Sequence, residues 1–302
     1  MIKDIIRTSK VAFAALCITP LMAMDAHAAR QERTLKFGKF ERSYIAHIPD
    51  DADARGKLSV IFAFHPGYGT SEGFEKQLGL HEAAGADDFI IVYPNGFWRS
   101  WNQGDCCGPA KEHNVDDVAF VLEILSDLHS FVKLDQGNHF ATGFSNGAGM
   151  SQRLACELNS EIAAIAIAGG TRDNSAGCEM KYPVSVLMMH GLEDGFSPYD
   201  GGMGVLEKPG PRPSVDSNVD FWAKANNCAD ETPTTGLNEL ACDRHSQCDA
   251  KAEVVICPVP EMGHWFPGQS ARSQRGLDMF GPTRDDLPGL TEVLSFFRTH
   301  GR

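Results

Sequence analysis

The sequence HFATGFSNGAGM, residues 139–150, decides the fold. It begins as a short apolar and β-branched run, passes through Gly-Phe-Ser-Asn-Gly at residues 143–147, and continues into small residues that suit a helix. A strand that turns directly into a helix at Gly-x-Ser-x-Gly is typical of a nucleophile elbow, which exposes the serine hydroxyl. The segment therefore predicts that Ser145 is a nucleophile, flanked by glycines because the turn brings backbones close together.

A second Gly-x-Ser-x-Gly lies at residues 69–73, with Ser71 at its centre. It comes several residues after the nearest apolar run, inside a glycine-rich loop, and the residues after it favour a helix. Because serine is a preferred N-cap, we interpret Ser71 as the N-cap of a helix that starts near Glu72. The context favours Ser145 as the reactive serine.

Apolar runs and helix-like segments alternate along the rest of the chain. Strands are predicted at residues 44–48, 58–64, 89–93, 139–142, 162–168, 184–189 and 254–259. Helices are predicted at residues 72–84, 115–132, 146–158, 215–226 and 290–300. Several of these strands lack polar alternation, which is typical of a mostly parallel sheet with helices on both faces. The pattern predicts an open α/β fold, and no composition break divides residues 29–302 into two domains.

The composition is that of a folded protein with an acidic surface. Of the 302 residues, 42% are hydrophobic and 22% are charged, a balance that excludes a disordered chain. The 27 Lys and Arg residues against 40 Asp and Glu residues give a formal net charge of -13. No basic surface is therefore expected to neutralise phosphates, and nucleic acid is not an expected partner.

The first 28 residues predict a cleaved signal peptide. Basic residues precede an apolar run from Val11 to Met24, and Ala26-His27-Ala28 supplies the small residues of a cleavage site. The run of about 14 residues is shorter than the roughly 20 that a membrane-spanning helix needs. We therefore expect cleavage near Ala28 and a secreted or periplasmic monomer without a stable membrane anchor.

Eight cysteines follow residue 28, and an even number in an exported protein indicates disulfide bonds. No Cys-x-x-Cys pair occurs, which disfavours a zinc site. Four of the cysteines lie in the polar stretch 228–257 and predict a loop that is cross-linked by disulfide bonds. The sequence leaves the pairing of these four cysteines open. Cys106 and Cys107 are adjacent, and pairing of each with a distant cysteine is favoured over a bridge between them.

A serine hydroxyl becomes a nucleophile when a histidine accepts its proton and a carboxylate orients that histidine. After a nucleophile elbow, the acid and then the histidine follow in chain order. Asp194, just beyond the strand 184–189, is the preferred acid, and the adjacent Glu193 is the alternative. His264 follows the last strand and is the predicted base. His190 is interpreted as a buried imidazole that orients the acid loop, and His245 as a surface residue.

The oxyanion of an acyl-transfer intermediate needs two N–H donors aimed at it. The backbone N–H of Asn146, directly after the nucleophile, is the first predicted donor. The second is expected from Gly67 or Tyr68, in the loop after the strand 58–64. Pro66 is excluded because it has no N–H.

Six motifs together resemble a known family. They are Gly143-Phe144-Ser145-Asn146-Gly147, Trp101-Asn102, Cys106-Cys107-Gly108, Val115-Asp116-Asp117-Val118, His190-Gly191-x-x-Asp194 and Gly263-His264. Over about Arg42 to Arg298, the set resembles the secreted α/β-hydrolase esterases grouped as polyhydroxybutyrate depolymerase and feruloyl esterase-like proteins. The resemblance implies an α/β-hydrolase fold and a serine esterase with Ser145, His264 and Asp194 as the triad, working through an acyl-enzyme without metal or organic cofactor. The implied substrates are feruloyl or acetyl esters of polysaccharides, or hydroxyalkanoate esters.

The chain departs from the family pattern at two places. His65-Pro66 replaces the usual His-Gly, which puts the geometry of the oxyanion loop in question, and the aromatic after His264 is shifted to Trp265. Trp265, with Trp98 or Trp101, is a candidate wall of the acyl site, and packing is the equal alternative. Asp116 and Asp117 open a predicted helix, where the helix dipole favours carboxylates, and are interpreted as structural.

Two other function classes stay open from the sequence. One is a catalytically silent α/β-hydrolase fold that binds carbohydrate outside the cell, suggested by the unusual Pro66 loop. The other is a redox protein that uses Cys106 and Cys107. The loop from Gly201 to Pro213 is rich in glycine and proline and is predicted to lie near the active face.

Overall fold

The computed structural model describes residues 29–104, 106–172, 177–206, 210–236 and 240–302. The predicted signal peptide lies outside these residues. Ten strands within them form one sheet. They are β1 (Ala29–Phe37), β2 (Phe40–Ile48), β3 (Ser59–Phe64), β4 (Phe89–Pro94), β5 (His139–Phe144), β6 (Ile162–Ala168), β7 (Ser185–Gly191), β8 (Asp230–Gly236), β9 (Leu240–Ser246) and β10 (Val254–Val259).

The sheet is parallel in its centre and antiparallel at its edges. Its strand order is β1-β2-β4-β3-β5-β6-β7-β10-β9-β8. The strands from β4 to β10 in this order pair in parallel. The outer strands β1 and β2 on one side, and β9 and β8 on the other, pair antiparallel. Because β3, β5, β7 and β10 run in the same direction, their carboxyl ends lie at the same end of the sheet. Open α/β folds place their sites there.

Eight α-helices lie in the described residues, and none of them is long and apolar enough to cross a membrane. They are α1 (Ala52–Arg55), α2 (Ser71–Leu78), α3 (Gly108–Glu112), α4 (Asp117–His129), α5 (Asn146–Glu157), α6 (Val215–Ala225), α7 (Gln274–Phe280) and α8 (Gly289–Thr299).

The hydrophobic core has two halves, one on each face of the sheet. Along β3, Val60 and Phe62 belong to one half, and Ile61 and Ala63 to the other, because successive strand side chains point to opposite faces. Helices α4, α5 and α6 contribute to the first half, and α2 and α8 to the second. The predicted α/β architecture, with helices on both faces, is confirmed.

All seven predicted strands are present, and four of the five predicted helices end within three residues of the predicted bounds. The predicted helix 72–84 is shorter, because Gly79 adopts a left-handed φ of 62° and caps α2 at Leu78. The N-cap of α2 is Thr70, whose side chain accepts the N–H of Gly73 at 3.0 Å. The prediction that Ser71 is the N-cap is therefore wrong by one residue.

The cysteines pair as four bridges. The bonds are Cys156–Cys178, Cys228–Cys248, Cys242–Cys257 and Cys106–Cys107. The expectation that residues 106 and 107 pair with distant cysteines is wrong, because the other six pair with one another. The stretch 228–257 is stapled by two bonds as predicted, but it contains the β8–β9 hairpin instead of a loop.

Candidate active site

The nucleophile elbow is formed by the junction of β5 and α5. Ser145 lies between them with a φ of 56°, a value that residues other than glycine rarely adopt. A Cβ at Gly143 would overlap the carbonyl of Gly147, and a Cβ at Gly147 would overlap the carbonyl of Phe64. The two glycines are therefore required by the close approach of β3, β5 and α5.

Ser145, His264 and Asp194 form a continuous chain of hydrogen bonds. The Oγ of Ser145 lies 2.9 Å from Nε2 of His264, and Nδ1 of His264 lies 2.7 Å from Oδ2 of Asp194. Oδ1 of Asp194 accepts the N–H groups of Phe196 and Ser197, both at 2.8 Å. The structure thus brings together the three residues predicted for the triad, and their catalytic roles stay predictions.

The environment of Asp194 keeps its carboxylate ionised. Burial favours the neutral acid, but the charge and hydrogen bond of His264, the neighbouring His190 and the N–H of Ser197 outweigh it, so the pKa of Asp194 is lowered. Glu193, the alternative acid, is exposed to solvent. Of the two alternative acids, Asp194 is the one whose carboxylate is bonded to the imidazole of His264, and its role as the acid of the triad stays a prediction.

His190 lies behind the triad, where the sequence places a buried imidazole. It is 2% exposed, and its Nε2 lies 2.7 Å from the carbonyl of Ser197 and 3.4 Å from Oδ2 of Asp194. Burial lowers the pKa of His190 despite the nearby carboxylate, so the ring donates an Nε2–H to Ser197 in its neutral form. This contact ties the end of β7 to the loop of Asp194, in agreement with the interpretation of His190.

The predicted oxyanion donors lie next to each other. Asn146 is the first residue of α5, and a Cβ built on Gly67 would lie 3.8 Å from the Cβ of Asn146. Within the described residues, no backbone acceptor takes the N–H of Gly67 or of Asn146. The N–H of Tyr68 instead donates to the carbonyl of Arg99 at 2.8 Å. Of the two alternatives, the N–H of Tyr68 is thus already engaged, whereas the N–H of Gly67 has no backbone acceptor in the described part of the chain, and the oxyanion role of either stays a prediction.

The loop that contains Pro66 is held by His65. This histidine is fully buried, and burial lowers its pKa to about 4, which keeps the ring neutral. Its Nδ1 lies 2.8 Å from the carbonyl of Pro66, and its Nε2 accepts the N–H of Gly96 at 2.9 Å. The carbonyl of Pro66 also accepts the N–H of Gly69. The carbonyl of Pro66 thus accepts hydrogen bonds that close the turn. The lack of an N–H on Pro66 does not remove the N–H of Gly67, which is the candidate donor.

Exposed apolar side chains extend from residues flanking this site. Tyr68 is 81% exposed and Trp98 is 66% exposed, and the bond from Tyr68 to Arg99 joins their two loops. Residues 201–206 of the predicted loop 201–213 lie beside the residue that follows Asp194, because the N–H of Val205 donates to the carbonyl of Gly195 at 2.7 Å. Trp265 is buried and donates its indole N–H to Gly281. Of the three candidate wall tryptophans, Trp98 alone is exposed.

Asp116 and Asp117 have structural contacts, as the sequence indicates. Asp116 is the N-cap of α4 and accepts the N–H of Ala119 at 3.0 Å. Asp117 is fully buried, bonded at 2.7 Å to Arg42 and at 2.8 Å to the N–H of Asn102. Asp117 thus anchors the chain next to Trp101, at Asn102, and Asp116 caps the helix.

One group of possible metal ligands occurs in the described part of the chain: His47, Glu75 and His81. The two imidazole rings are stacked, with centroids 3.8 Å apart and planes 23° apart, and Nε2 of His47 lies 2.7 Å from Oε1 of Glu75. Arg30 also occupies the carboxylate of Glu75 with bonds of 2.7 and 3.1 Å. In the structure the group is a hydrogen-bonded cluster of two imidazoles around an ion pair of Arg30 and Glu75.

The sequence does not single out the contacts of residues 96–103 with the elbow. Trp101 is fully buried, and its main chain bonds the side-chain amide of Asn146. The dipeptide Trp101-Asn102 is one of the motifs that resemble the family. Its contacts could not be predicted from the sequence, because they depend on the path of the loop and the direction of its side chains.

Two esterases are among the solved structures that this chain resembles in fold. A thermostable esterase superposes with a TM-score of 0.57 at 13% identity, covering 90% of this chain and 63% of that protein. An acetyl xylan esterase from Aspergillus awamori superposes with a TM-score of 0.55 at 14% identity, covering 83% of this chain and 99% of that protein. At these identities the likeness shows the fold alone. The fold and the elbow place the protein in the class of α/β-hydrolases.

Curated relatives narrow this class to a family, although no protein-family model matches the chain. Probable feruloyl esterase C of Aspergillus niger is 33% identical over 174 residues, which cover 55% of this chain and 60% of that protein. The same enzyme of Aspergillus flavus is 31% identical over 218 residues, covering 69% and 76%. Feruloyl esterase B of Piromyces equi is 28% identical over 236 residues, covering 74% and 42%. The chain belongs to the feruloyl esterase-like α/β-hydrolases, and it spans less than two thirds of the Aspergillus niger and Piromyces equi proteins.

Proposed function

We propose that the protein is a secreted serine esterase that hydrolyses carboxylic esters through an acyl-enzyme. The observation that carries the proposal is the hydrogen-bonded chain from Ser145 through His264 to Asp194 at a strained elbow. This is the arrangement that activates a serine hydroxyl, because the histidine accepts its proton and the carboxylate holds the imidazolium that forms. Membership of the feruloyl esterase-like family supports the same chemistry.

The proposed reaction has two halves. Ser145 Oγ attacks the ester carbonyl, its proton passes to Nε2 of His264, and the oxyanion is stabilised by the N–H groups of Asn146 and Gly67. The alcohol leaves with the proton from His264, and an acyl group stays on Ser145. Water then loses a proton to His264, attacks the acyl-enzyme, and releases the carboxylic acid and the free serine.

The proposed substrates are feruloyl or acetyl esters of polysaccharides. The relatives are named feruloyl esterases, and one structural neighbour is named an acetyl xylan esterase. Exposed Tyr68 and Trp98 are suited to stack on a flat aromatic acid or the apolar face of a sugar. Hydroxyalkanoate esters are the alternative substrate class, which a substrate panel separates from the other two.

The first test compares the wild-type protein with Ser145→Ala, using p-nitrophenyl acetate and then methyl ferulate, acetylated xylan and hydroxybutyrate oligomers. We expect Ser145→Ala to lower kcat by about 10⁵-fold or more while the melting temperature changes little. Stoichiometric labelling of Ser145 by a fluorophosphonate is a second readout. A folded wild-type protein that neither turns over these esters nor takes the label would contradict the proposal and favour the silent carbohydrate-binding alternative.

A further inference from the structure

Trp101 contacts both segments that carry the proposed oxyanion donors. Its backbone N–H donates to Oδ1 of Asn146 at 2.8 Å, and its carbonyl accepts Nδ2–H of the same side chain at 3.0 Å. Its indole N–H donates to the carbonyl of His65 at 2.9 Å. One residue is thus bonded to the start of α5 on one side and to the end of β3 on the other.

The two bonded segments end in the donors themselves. Asn146 supplies the first donor from its own backbone, and His65 lies two residues before Gly67, which supplies the second. The side chain of Asn146 is held at both its oxygen and its nitrogen, so the residue cannot rotate without breaking the contact with Trp101. Trp101 thus links the two segments that carry the N–H groups, through its side chain to His65 and through its main chain to Asn146.

We propose that Trp101 is a positioning residue that fixes the separation of the two oxyanion donors. The inference rests on the esterase function proposed above. Trp101 is completely buried, so it acts through Asn146 and His65 and does not touch the substrate. Oxyanion donors act mainly on the transition state, so an error in their spacing lowers kcat and leaves ground-state binding largely unchanged.

The loop around Trp101 is itself held in place. The N–H of Cys107 donates to the carbonyl of Trp101 at 3.2 Å, and the N–H of Gln103 donates to the carbonyl of Cys106 at 2.7 Å. The disulfide between Cys106 and Cys107 lies in this turn. On the other side of the loop, buried Asp117 accepts the N–H of Asn102. These contacts make the adjacent cysteines part of the turn that supports Trp101.

The test replaces Trp101 by phenylalanine, which keeps an aromatic ring beside Phe64 and removes the indole N–H. The matched control is Trp222→Phe, because Trp222 is also completely buried and donates its indole N–H to Gln152 at 3.0 Å. Both variants lose one buried hydrogen bond and the same ring atoms. They differ in that Trp101 is bonded to Asn146 and His65, whereas Trp222 is bonded to Gln152, six residues further along α5 than Asn146.

We expect Trp101→Phe to lower kcat for p-nitrophenyl acetate by about 10-fold or more, with KM within about twofold of wild type. Phenylboronic acid, which forms a tetrahedral adduct on the serine, should bind more weakly by a similar factor. Trp222→Phe should lower the melting temperature to a similar degree and leave kcat and the inhibitor affinity unchanged. Asn146→Ala is the second variant, because it keeps the backbone donor but removes the side chain that Trp101 holds.

Unchanged kcat in both Trp101→Phe and Asn146→Ala would overturn the positioning role. If Ser145→Ala lost activity in the same experiment, the proposed esterase function would still be supported. The role would also be overturned if Trp101→Phe and Trp222→Phe changed kcat equally, since that is the result of general destabilisation. If Trp101→Phe did not fold, Asn146→Ala would decide the question alone. Absence of turnover in the wild-type protein would overturn the proposed function, and this inference with it.

Discussion

Gly147 shows at the level of one residue why the elbow tolerates no side chain. A Cβ there would overlap the carbonyl of Phe64 at the end of β3, and backbone atoms have little freedom to move away. We expect Gly147→Ala to lower the free energy of unfolding by about 2 kcal/mol or more and to abolish esterase activity. Gly177→Ala is the control, because a Cβ at that residue meets nothing within 4 Å. Urea unfolding and turnover of p-nitrophenyl acetate measure both effects, and equal stability of the two variants would contradict the argument.

Asp194 and Glu193 form a natural pair for a second test at the residue scale. Asp194→Asn keeps the shape of the side chain but cannot stabilise the imidazolium of His264, and we expect kcat to fall by about 10⁴-fold. Glu193→Gln removes a charge from the exposed neighbour and should leave kcat within about twofold of wild type. A large loss of kcat in Glu193→Gln with activity retained in Asp194→Asn would reverse the assignment of the acid.

At the scale of the element, the loop 96–101 combines a buried end with an exposed one. Trp98 is 66% exposed, whereas Trp101 is completely buried. We expect Trp98→Ala to raise KM for feruloylated polysaccharide by about 5-fold, since stacking on one ring contributes about 1 kcal/mol, and to leave KM for p-nitrophenyl acetate unchanged. Tyr182→Ala is the control, because this exposed aromatic precedes the amino end of β7. It therefore lies at the end of the sheet opposite to the active site. Equal KM changes in the two variants would exclude Trp98 from substrate binding.

Elements were predictable from the sequence where burial dominates. The central strands β3 to β7 are buried throughout, so their apolar runs are visible in the sequence. Strand β1 is mainly exposed or half-buried and carries Arg30, Glu32 and Arg33, so its pairing with β2 leaves little apolar signal. The triad residues follow from the order of strands and motifs. The contact of Trp101 with Asn146 does not, because it depends on the direction of a loop.

For the whole molecule, two buried histidines make stability depend on pH. Burial lowers the pKa of His65 and of His139 to about 4, against about 6.5 in an unfolded chain. Between pH 6.5 and 4 the unfolded chain binds protons that the folded protein does not. As the pH is lowered through this range, the free energy of unfolding therefore decreases by about 1.4 kcal/mol per pH unit for each histidine. Above pH 6.5 this contribution is fully retained.

His139→Asn tests the whole-molecule argument without touching the active site. The Nδ1 of His139 accepts the N–H of Val60 at 3.1 Å, and an asparagine oxygen offers an acceptor that does not titrate. Urea unfolding at pH 7.5, 5.5 and 4.5, with the disulfides intact, should give a slope of stability against pH that is shallower by about 1.4 kcal/mol per unit in the variant. Identical slopes in the variant and the wild type would mean that His139 is already protonated in the folded protein. The acid sensitivity would then arise from His65 and from paired carboxylates such as Asp127, whose pKa is lowered mainly by its hydrogen bond to Arg33.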